Sequence, residues 1–375
     1  MSGVRESAAT PSRTLRRTGG WVEGDPVGRR RFVDLDGPVR LERGGRLAGV
    51  RVAYETWGTL APDAGNAVLV EHALTGDSHV VGDAGPGHAT AGWWPSLIGP
   101  GAPLDTDTSF VVCANVLGGC QGTTGPSSTA PDGAPWGSRF PGVTIADQVA
   151  VEAALADELG IASWRAVLGG SMGGMRALEW AVSRPDRVES LFFLASGAVA
   201  SADQIGTQTT QQTAVRSDPA WAGGDYAPGP GPVAGLGIAR RIAHLTYRSA
   251  FELGERFGTT VQDDGRFAVA SYLDHHAAKL SARFDAGSYV LLTEAMNSWD
   301  VGRGRGGVEA ALVRVTARSL VAGVDSDRLY PLGQQQRVAD GLRVPLRVIG
   351  SPYGHDGFLL ETTAVGALVR ELLAS

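Results

Sequence analysis

The segment VLGGSMGGMRALEW (167–180) constrains this chain more than any other. It holds a serine between glycines, Gly169-Gly170-Ser171-Met172-Gly173. The apolar run RAVLG (165–169) precedes it and a helical pattern follows it. This is the G-x-S-x-G pattern in a strand–turn–helix setting. A turn that sharp holds its serine in a strained backbone conformation, with the hydroxyl raised above the edge of a sheet. Side chains at the flanking positions would strike neighbouring strands, which explains the glycines. The helix that follows aims its first amides at the same point, where they can hold a developing oxyanion. With 53 glycines in 375 residues the bare pattern also arises by chance, so the setting carries the reading.

Such a turn needs a sheet around it, and the rest of the chain supplies one. Runs of strand length recur at 67–74 (AVLVEHAL), 110–116 (FVVCANV), 188–195 (VESLFFLA), 319–324 (SLVAGV) and 346–350 (LRVIG). None alternates with polar residues, as expected of strands buried on both faces in a parallel sheet covered by helices. Helical patterns lie between them. One spans 144–159, with Thr144 as N-cap and Gly160 as stop; others span 173–183 and 361–373. This alternation implies an α/β fold. Residues 197–306 differ. They are polar and aromatic, with helical periodicity at 237–255, 267–279 and 288–298 and a turn-rich break, PGPGPV, at 228–233. They read as a mainly helical insertion that roofs the site. The expected division is a disordered tail over 1–18, a core over 19–196 and 307–375, and a lid over 197–306.

Composition removes several functions. A net charge of −6 argues against nucleic acid as the main partner. No run of 18 apolar residues exists to span a membrane, and the first residues lack the apolar stretch of a secretory signal. A cytoplasmic location follows as an expectation. Lys279, the sole lysine, is followed by Leu280, so a Walker A phosphate loop is impossible. Cys113 and Cys120 lack zinc-site spacing, so no metal is expected and both read as reduced thiols near the core.

A nucleophilic serine needs a base, and the base needs an orienting carboxylate. Four histidines follow Ser171: His244, His275, His276 and His355. The first three fall in the insertion. His244 reads as packed or half-buried, and the adjacent His275 and His276 as solvated. Only His355 follows the last strand run, in YGHDG (353–357), just before the final helix. The carboxylate belongs after the strand run 319–324, where Asp325 and Asp327 both stand. Asp327 is favoured because it lies farther from the strand, with Leu-Tyr-Pro after it; Asp325 would then be a turn former. The oxyanion hole needs two amides. Met172, next to the nucleophile, supplies one, and Leu74, in the loop after an early strand, is expected to supply the other. His72 and His79 flank that loop and are expected to fix it.

These residues sit within longer matching strings: EHALTGDSHVVG (71–82), GWWPSLIGPG (92–101), CANVLGGCQGTTGPSS (113–128), GGSMGGMRALEW (169–180), ARRIAHLTYR (239–248), RFDAGSYVLLTEAMNSWDVGRGRGG (283–307), SDRLYP (326–331) and YGHDGFL (353–359). Together they make the chain similar to the homoserine O-acetyltransferases of the α/β-hydrolase superfamily, from about Gly20 to the C-terminus. The resemblance implies an α/β-hydrolase fold, a mostly parallel central sheet flanked by helices with a helical lid insertion. It implies ping-pong transfer of acetyl from acetyl-CoA to L-homoserine at the opening of methionine synthesis. It places the nucleophile on Ser171, the acid on Asp327 and the base on His355. It also implies that Arg240 pairs with the substrate carboxylate, that Tyr247 lines the pocket and that Asp356 faces the ammonium. The competing reading of Arg240 is a surface arginine beside Arg241. Asn115 and the stretch 118–125 resemble a loop near the site, whose glycines let backbone approach the acyl donor or only make turns. A homodimer through the lid is implied, with no cofactor beyond acetyl-CoA as co-substrate. Arg176 departs from the glutamine expected there, and 202–225 falls in a variable region. Related enzymes use succinyl donors, serine or a cephalosporin alcohol, and an esterase is the nearest rival.

Overall fold

A computed structural model describes residues 18–374, so the tail assigned to 1–18 lies outside the described residues apart from Thr18. Eight strands form the central sheet: β1 (Arg31–Asp34), β2 (Arg51–Trp57), β3 (Ala67–Glu71), β4 (Phe110–Ala114), β5 (Ala166–Gly170), β6 (Ser190–Leu194), β7 (Arg318–Val324) and β8 (Leu346–Ile349). Their order across the sheet is β1-β2-β4-β3-β5-β6-β7-β8. The β1–β2 and β2–β4 pairings are antiparallel and every other pairing is parallel.

The uninterrupted apolar runs have a direct cause. Successive side chains point to opposite faces, and both faces are buried. On β4, Val112 and Ala114 enter one core while Val111 and Cys113 enter the other. On β6, Leu191 and Phe193 face one way and Phe192 and Leu194 the other. The last strand departs from that expectation. Arg347 and Val348 on β8 are exposed, because β8 is an edge strand. No apolar run announced β2, since Arg51 and Glu55 interrupt it; Glu55 is nonetheless buried.

Helix α1 (Ile145–Glu158) starts where the sequence placed it. Thr144 caps it by accepting from the Asp147 amide, while Asp147 accepts from the Thr144 amide, a reciprocal capping box. Helix α2 (Met172–Ser183) leaves the serine turn directly. Between β6 and β7 stand α3 (Ala202–Arg216), α4 (Val233–Tyr247), α5 (Ala250–Phe257), α6 (Ala268–Ser281), α7 (Ala286–Asn297) and α8 (Val308–Leu312). The chain closes with α9 (Leu332–Leu342), α10 (Gly357–Leu360) and α11 (Thr362–Ala374).

Two features of the insertion differ from the sequence reading. The expected helix over 237–255 is two helices, α4 and α5. Arg248 and Ser249 are extended, and Ser249 caps α5 by accepting from the Glu252 amide. Helix α3, in the stretch read as variable, gave no apolar signal because its buried face is mostly glutamine: Gln204, Gln208, Gln211 and Gln212, with Val215. Three of these are held by polar partners, Gln204 on the Leu329 carbonyl, Gln211 by Tyr289 and Gln212 on Thr293.

Candidate active site

Ser171 sits between β5 and α2 with φ 57° and ψ −126°, a conformation most side chains avoid. The glycines around it answer to close backbone contact. A Cβ at Gly169 would lie 2.1 Å from the Gly173 carbonyl oxygen, and one at Gly173 would lie 2.1 Å from the Glu71 carbonyl oxygen. No L side chain fits either place.

Three loops at the carboxyl edge of the sheet bring the expected side chains together. His355, after β8, faces Ser171 Oγ through Nε2 at 2.9 Å and Asp327 Oδ2 through Nδ1 at 2.7 Å. With Nδ1–H donated to the carboxylate, Nε2 is the acceptor for the serine proton. The other Asp327 oxygen accepts from the amides of Leu329 and Tyr330 at 2.8 and 2.9 Å. All three side chains are buried. Asp325 is elsewhere occupied: it accepts from the Ser351 amide and ties the β7 loop to the β8 loop.

Leu74 follows β3 and lines the same cavity as Ser171 and His355. Among the described residues neither the Leu74 amide nor the Met172 amide has a protein acceptor. Both are free for a ligand oxygen. The Leu74 loop is pinned from several sides. The His72 ring bonds the Ala73 carbonyl and the Val116 amide. Burial, with the Arg176 charge, lowers its pKa to about 3, so it serves as a neutral strut. Asn115 accepts from the Ser78 amide and donates to the Gln121 carbonyl. Arg176, fully buried, donates to the His72 carbonyl at 2.6 Å and lies 2.7 Å from Glu71 and 2.6 Å from Glu152. An arginine thus stands at position 176 with two buried carboxylates around it. The fork joins α2, α1 and the end of β3 directly beneath the Leu74 loop.

The insertion supplies the opposite wall. Arg240, Tyr247 and Arg283 line a cavity of about 170 Å³ with Ser171, His355 and Asp356. Arg241 points away to pair with Asp274, while the Arg240 guanidinium stands 5.2 Å over the Tyr247 ring. The surface reading therefore belongs to Arg241. Arg240 Nε is buried without a partner. Asp356 lies 3.0 Å from Arg248 Nε, an ion pair outside hydrogen-bond alignment. Burial holds its carboxyl above its usual pKa, against the pull of Arg248 and Arg240. Sequence reasoning gave no role to Arg283, which donates to the Thr75 carbonyl at 2.7 Å and so reaches the Leu74 loop from the insertion. Its string was visible; its target, 208 residues away, was not.

The remaining candidates have other duties. His244 is buried against Tyr272, its pKa lowered to about 2 by burial and Arg240. His275 is exposed, but His276 is half-buried and stacked on His244 at 3.9 Å, not solvated. No residue of the stretch 118–125 lines the serine cavity. Gly118 and Gly122 serve turns at φ 84° and 105°. Cys113 and Cys120 are buried and unpaired.

Glu55, His79 and His88 converge, yet Glu55 already accepts from Ser78 and His79, and the Arg29 amide donates to His88. The two rings stack 3.8 Å apart and nearly parallel, so their in-plane lone pairs do not meet at one point. This is a brace for the loop after β3. A larger cavity, about 540 Å³, opens near Trp21, Arg51 and Tyr226, with no triad residue in its wall.

Comparison with known proteins bears on this geometry. Residues 66–362 match the model of the alpha/beta hydrolase fold family. A homoserine O-acetyltransferase of Thermobifida fusca (strain YX) is 65% identical over 370 residues, 96% of this chain and 98% of that protein. The crystal structure of a homoserine O-acetyltransferase from Bacillus anthracis superposes with a TM-score of 0.85 at 26% identity, covering 92% of this chain and 97% of that one. Esterase E22 superposes with a TM-score of 0.84 at 27% identity, covering 92% and 99%.

Proposed function

Because the chain belongs to the homoserine O-acetyltransferase family, within the α/β-hydrolase fold, we infer that Ser171, His355 and Asp327 carry a two-step acyl transfer to an amino-acid alcohol. The protein is an acyltransferase: it moves acetyl from acetyl-CoA to the homoserine hydroxyl. His355 Nε2 takes the Ser171 proton as Oγ attacks the thioester carbon, and Asp327 stabilises the imidazolium. The oxyanion rests on the Leu74 and Met172 amides. Collapse breaks the C–S bond, the CoA sulfur takes the proton from His355, and acetyl-Ser171 remains. The homoserine hydroxyl then loses its proton to His355 and attacks the acetyl carbon. Ser171 leaves with that proton, in ping-pong fashion.

Arg240 and Asp356 divide the acceptor between them. A guanidinium fits the carboxylate and a carboxylate fits the ammonium, so a zwitterion is fixed at both ends with its hydroxyl toward His355. The observation that carries this reading is that both charges share one small cavity with the nucleophile. Esterase E22 shares the fold, so the fold alone does not separate transfer from hydrolysis. Transfer requires that a positioned alcohol outcompete water, and fixed charges at two points supply that positioning. The chemistry calls on acetyl-CoA as co-substrate and on no other cofactor.

A homodimer through the insertion belongs to the same reading. Ile238, Leu245, Phe251 and Phe267, all between 233 and 268, are exposed apolar side chains. Sedimentation should give twice the chain mass, and charged residues at Phe251 and Phe267 should return it to one. We place the enzyme in the cytoplasm at the opening of methionine synthesis, where acetyl-CoA is at hand. No helix among the described residues is long and apolar enough to cross a membrane.

The test is a panel crossing acetyl-, propionyl- and succinyl-CoA with homoserine, serine and water, followed by thiol release. Fast release is expected only with acetyl-CoA and homoserine together. Release at the same rate without an amino acid would make the protein a hydrolase.

A further inference from the structure

The mechanism above leaves one polar group at the nucleophile without a task. Tyr330 is fully buried, and its hydroxyl has no hydrogen-bond partner among the described residues. Its position is fixed at three points. Its amide donates to Asp327 Oδ1, its ring lies 5.1 Å from the His355 ring at 32°, and Ser171 is a side chain that acts electrostatically on its hydroxyl. Leu329, just before it, is held through its carbonyl by Gln204 of α3. A buried hydroxyl that packing alone placed there would be cheaper as the phenyl ring of phenylalanine. An orphaned donor beside a reacting oxygen is what a group looks like when its partner gains charge only during the reaction.

We propose that Tyr330 is a further catalytic residue, its hydroxyl donating a hydrogen bond to Ser171 Oγ while that oxygen attacks or leaves the acetyl carbon. At rest Ser171 donates its proton to His355, which leaves Oγ with lone pairs for a second donor. On attack His355 takes the proton as Oγ bonds to the acetyl carbon, so excess charge on Oγ is transient and the lasting charge sits on the acetyl oxygen held by the Leu74 and Met172 amides. On collapse of the second intermediate the C–Oγ bond breaks, its electron pair moves to Oγ, and His355 returns a proton to that oxygen. In both steps Tyr330 keeps its own proton and only donates. Burial, together with the nearby Asp327 charge, raises its pKa far above the ordinary tyrosine value, which keeps the donor protonated at any working pH.

The inference rests on Ser171 as the nucleophile, and that premise is checked separately by acetyl labelling of the wild-type protein. The variant is Tyr330→Phe, which removes one oxygen and keeps the ring. Single-turnover CoA release and the homoserine-dependent discharge of acetyl-enzyme should both slow by about tenfold to a hundredfold. The KM for homoserine and the melting temperature should hold or, for the latter, rise. A residue that only fills space would leave both rates within twofold of wild type, and that result overturns the proposal. If Tyr330→Phe instead lowers the melting temperature, fluorotyrosine placed at 330 decides. It retains the ring and the hydroxyl but makes a more acidic donor, so the discharge rate should change, and an unchanged rate contradicts the proposal. Failure to label Ser171 in the wild type would defeat the premise rather than the role of Tyr330.

Discussion

The two walls of the active-site cavity are finished to different degrees. On the sheet side, Ser171, His355 and Asp327 form a closed chain, and Asp327 has partners on both oxygens. Beneath them Arg176 is clasped by Glu71, Glu152 and the His72 carbonyl. Around the acceptor pocket, Arg240 of the insertion has a buried nitrogen without a partner, and Asp356, next to His355 after β8, meets Arg248 of the insertion out of alignment. Buried polar groups in a folded protein are normally satisfied, so unsatisfied ones beside a cavity mark where a ligand completes the bonding. The Ser171–His355–Asp327 chain is joined before substrate arrives, and the charges meant for the acceptor are completed by it. On the proposed mechanism, catalytic power and acceptor choice reside on different side chains, although Asp356 follows His355 on one loop, and should fail separately.

The largest effect tests the finished wall. Ser171→Ala, or His355→Ala, should lower kcat by roughly 10⁴ to 10⁶, while calorimetry with homoserine still shows binding. Lost binding would merge the two walls. Next is the clasp under the oxyanion loop. Arg176→Met leaves two carboxylates buried without their cation and should lower unfolding stability by about 3–5 kcal/mol, measured by urea melts. A stability within 1 kcal/mol of wild type, taken as roughly the noise of such melts, would show that the fork is not needed.

On the unfinished wall, Arg240→Lys loses the two-pronged grip on a carboxylate. It should raise the homoserine KM about tenfold to a hundredfold while acetyl-enzyme formation keeps its rate. A slowed acylation step would move Arg240 across the divide. The smallest effect is in pH. Asp356 must be ionised to meet an ammonium, and burial raises its pKa. The homoserine KM should therefore begin to climb on acidification at a higher pH than an ordinary carboxylate would give. Asp356→Asn should have a high KM with no such climb, and a wild-type profile flat through that window would exclude Asp356 from the acceptor site.

What could be read from the sequence follows the same divide. The meeting of Ser171, His355 and Asp327 was legible because each follows a strand of a sheet whose runs stand out, and the chain order of the three is characteristic of the turn that starts them. Arg240, Tyr247 and Asp356 came from the family resemblance and not from periodicity. The clasp at Arg176, the reach of Arg283 to Thr75 and the aim of the Tyr330 hydroxyl were not legible. Each is set by a partner distant in sequence, such as Glu71 or Ser171, and a single chain read along its length carries no mark of that pairing. Helix α3 was missed for a local reason: four glutamines and Val215 make its buried face, and three of the glutamines bond to groups on other elements, so no apolar stripe exists to be seen. The break between α4 and α5 turned on one serine, which caps as readily as it is tolerated inside a helix.

The most direct test is to trap the covalent intermediate. The protein is mixed with labelled acetyl-CoA in the absence of homoserine, quenched in acid, digested and sequenced by mass spectrometry. The label should sit on Ser171 alone and leave when homoserine is added before the quench. Label on a different residue, or undiminished acetyl transfer by Ser171→Ala, would contradict the assignment of the nucleophile and with it the division of labour between the two walls.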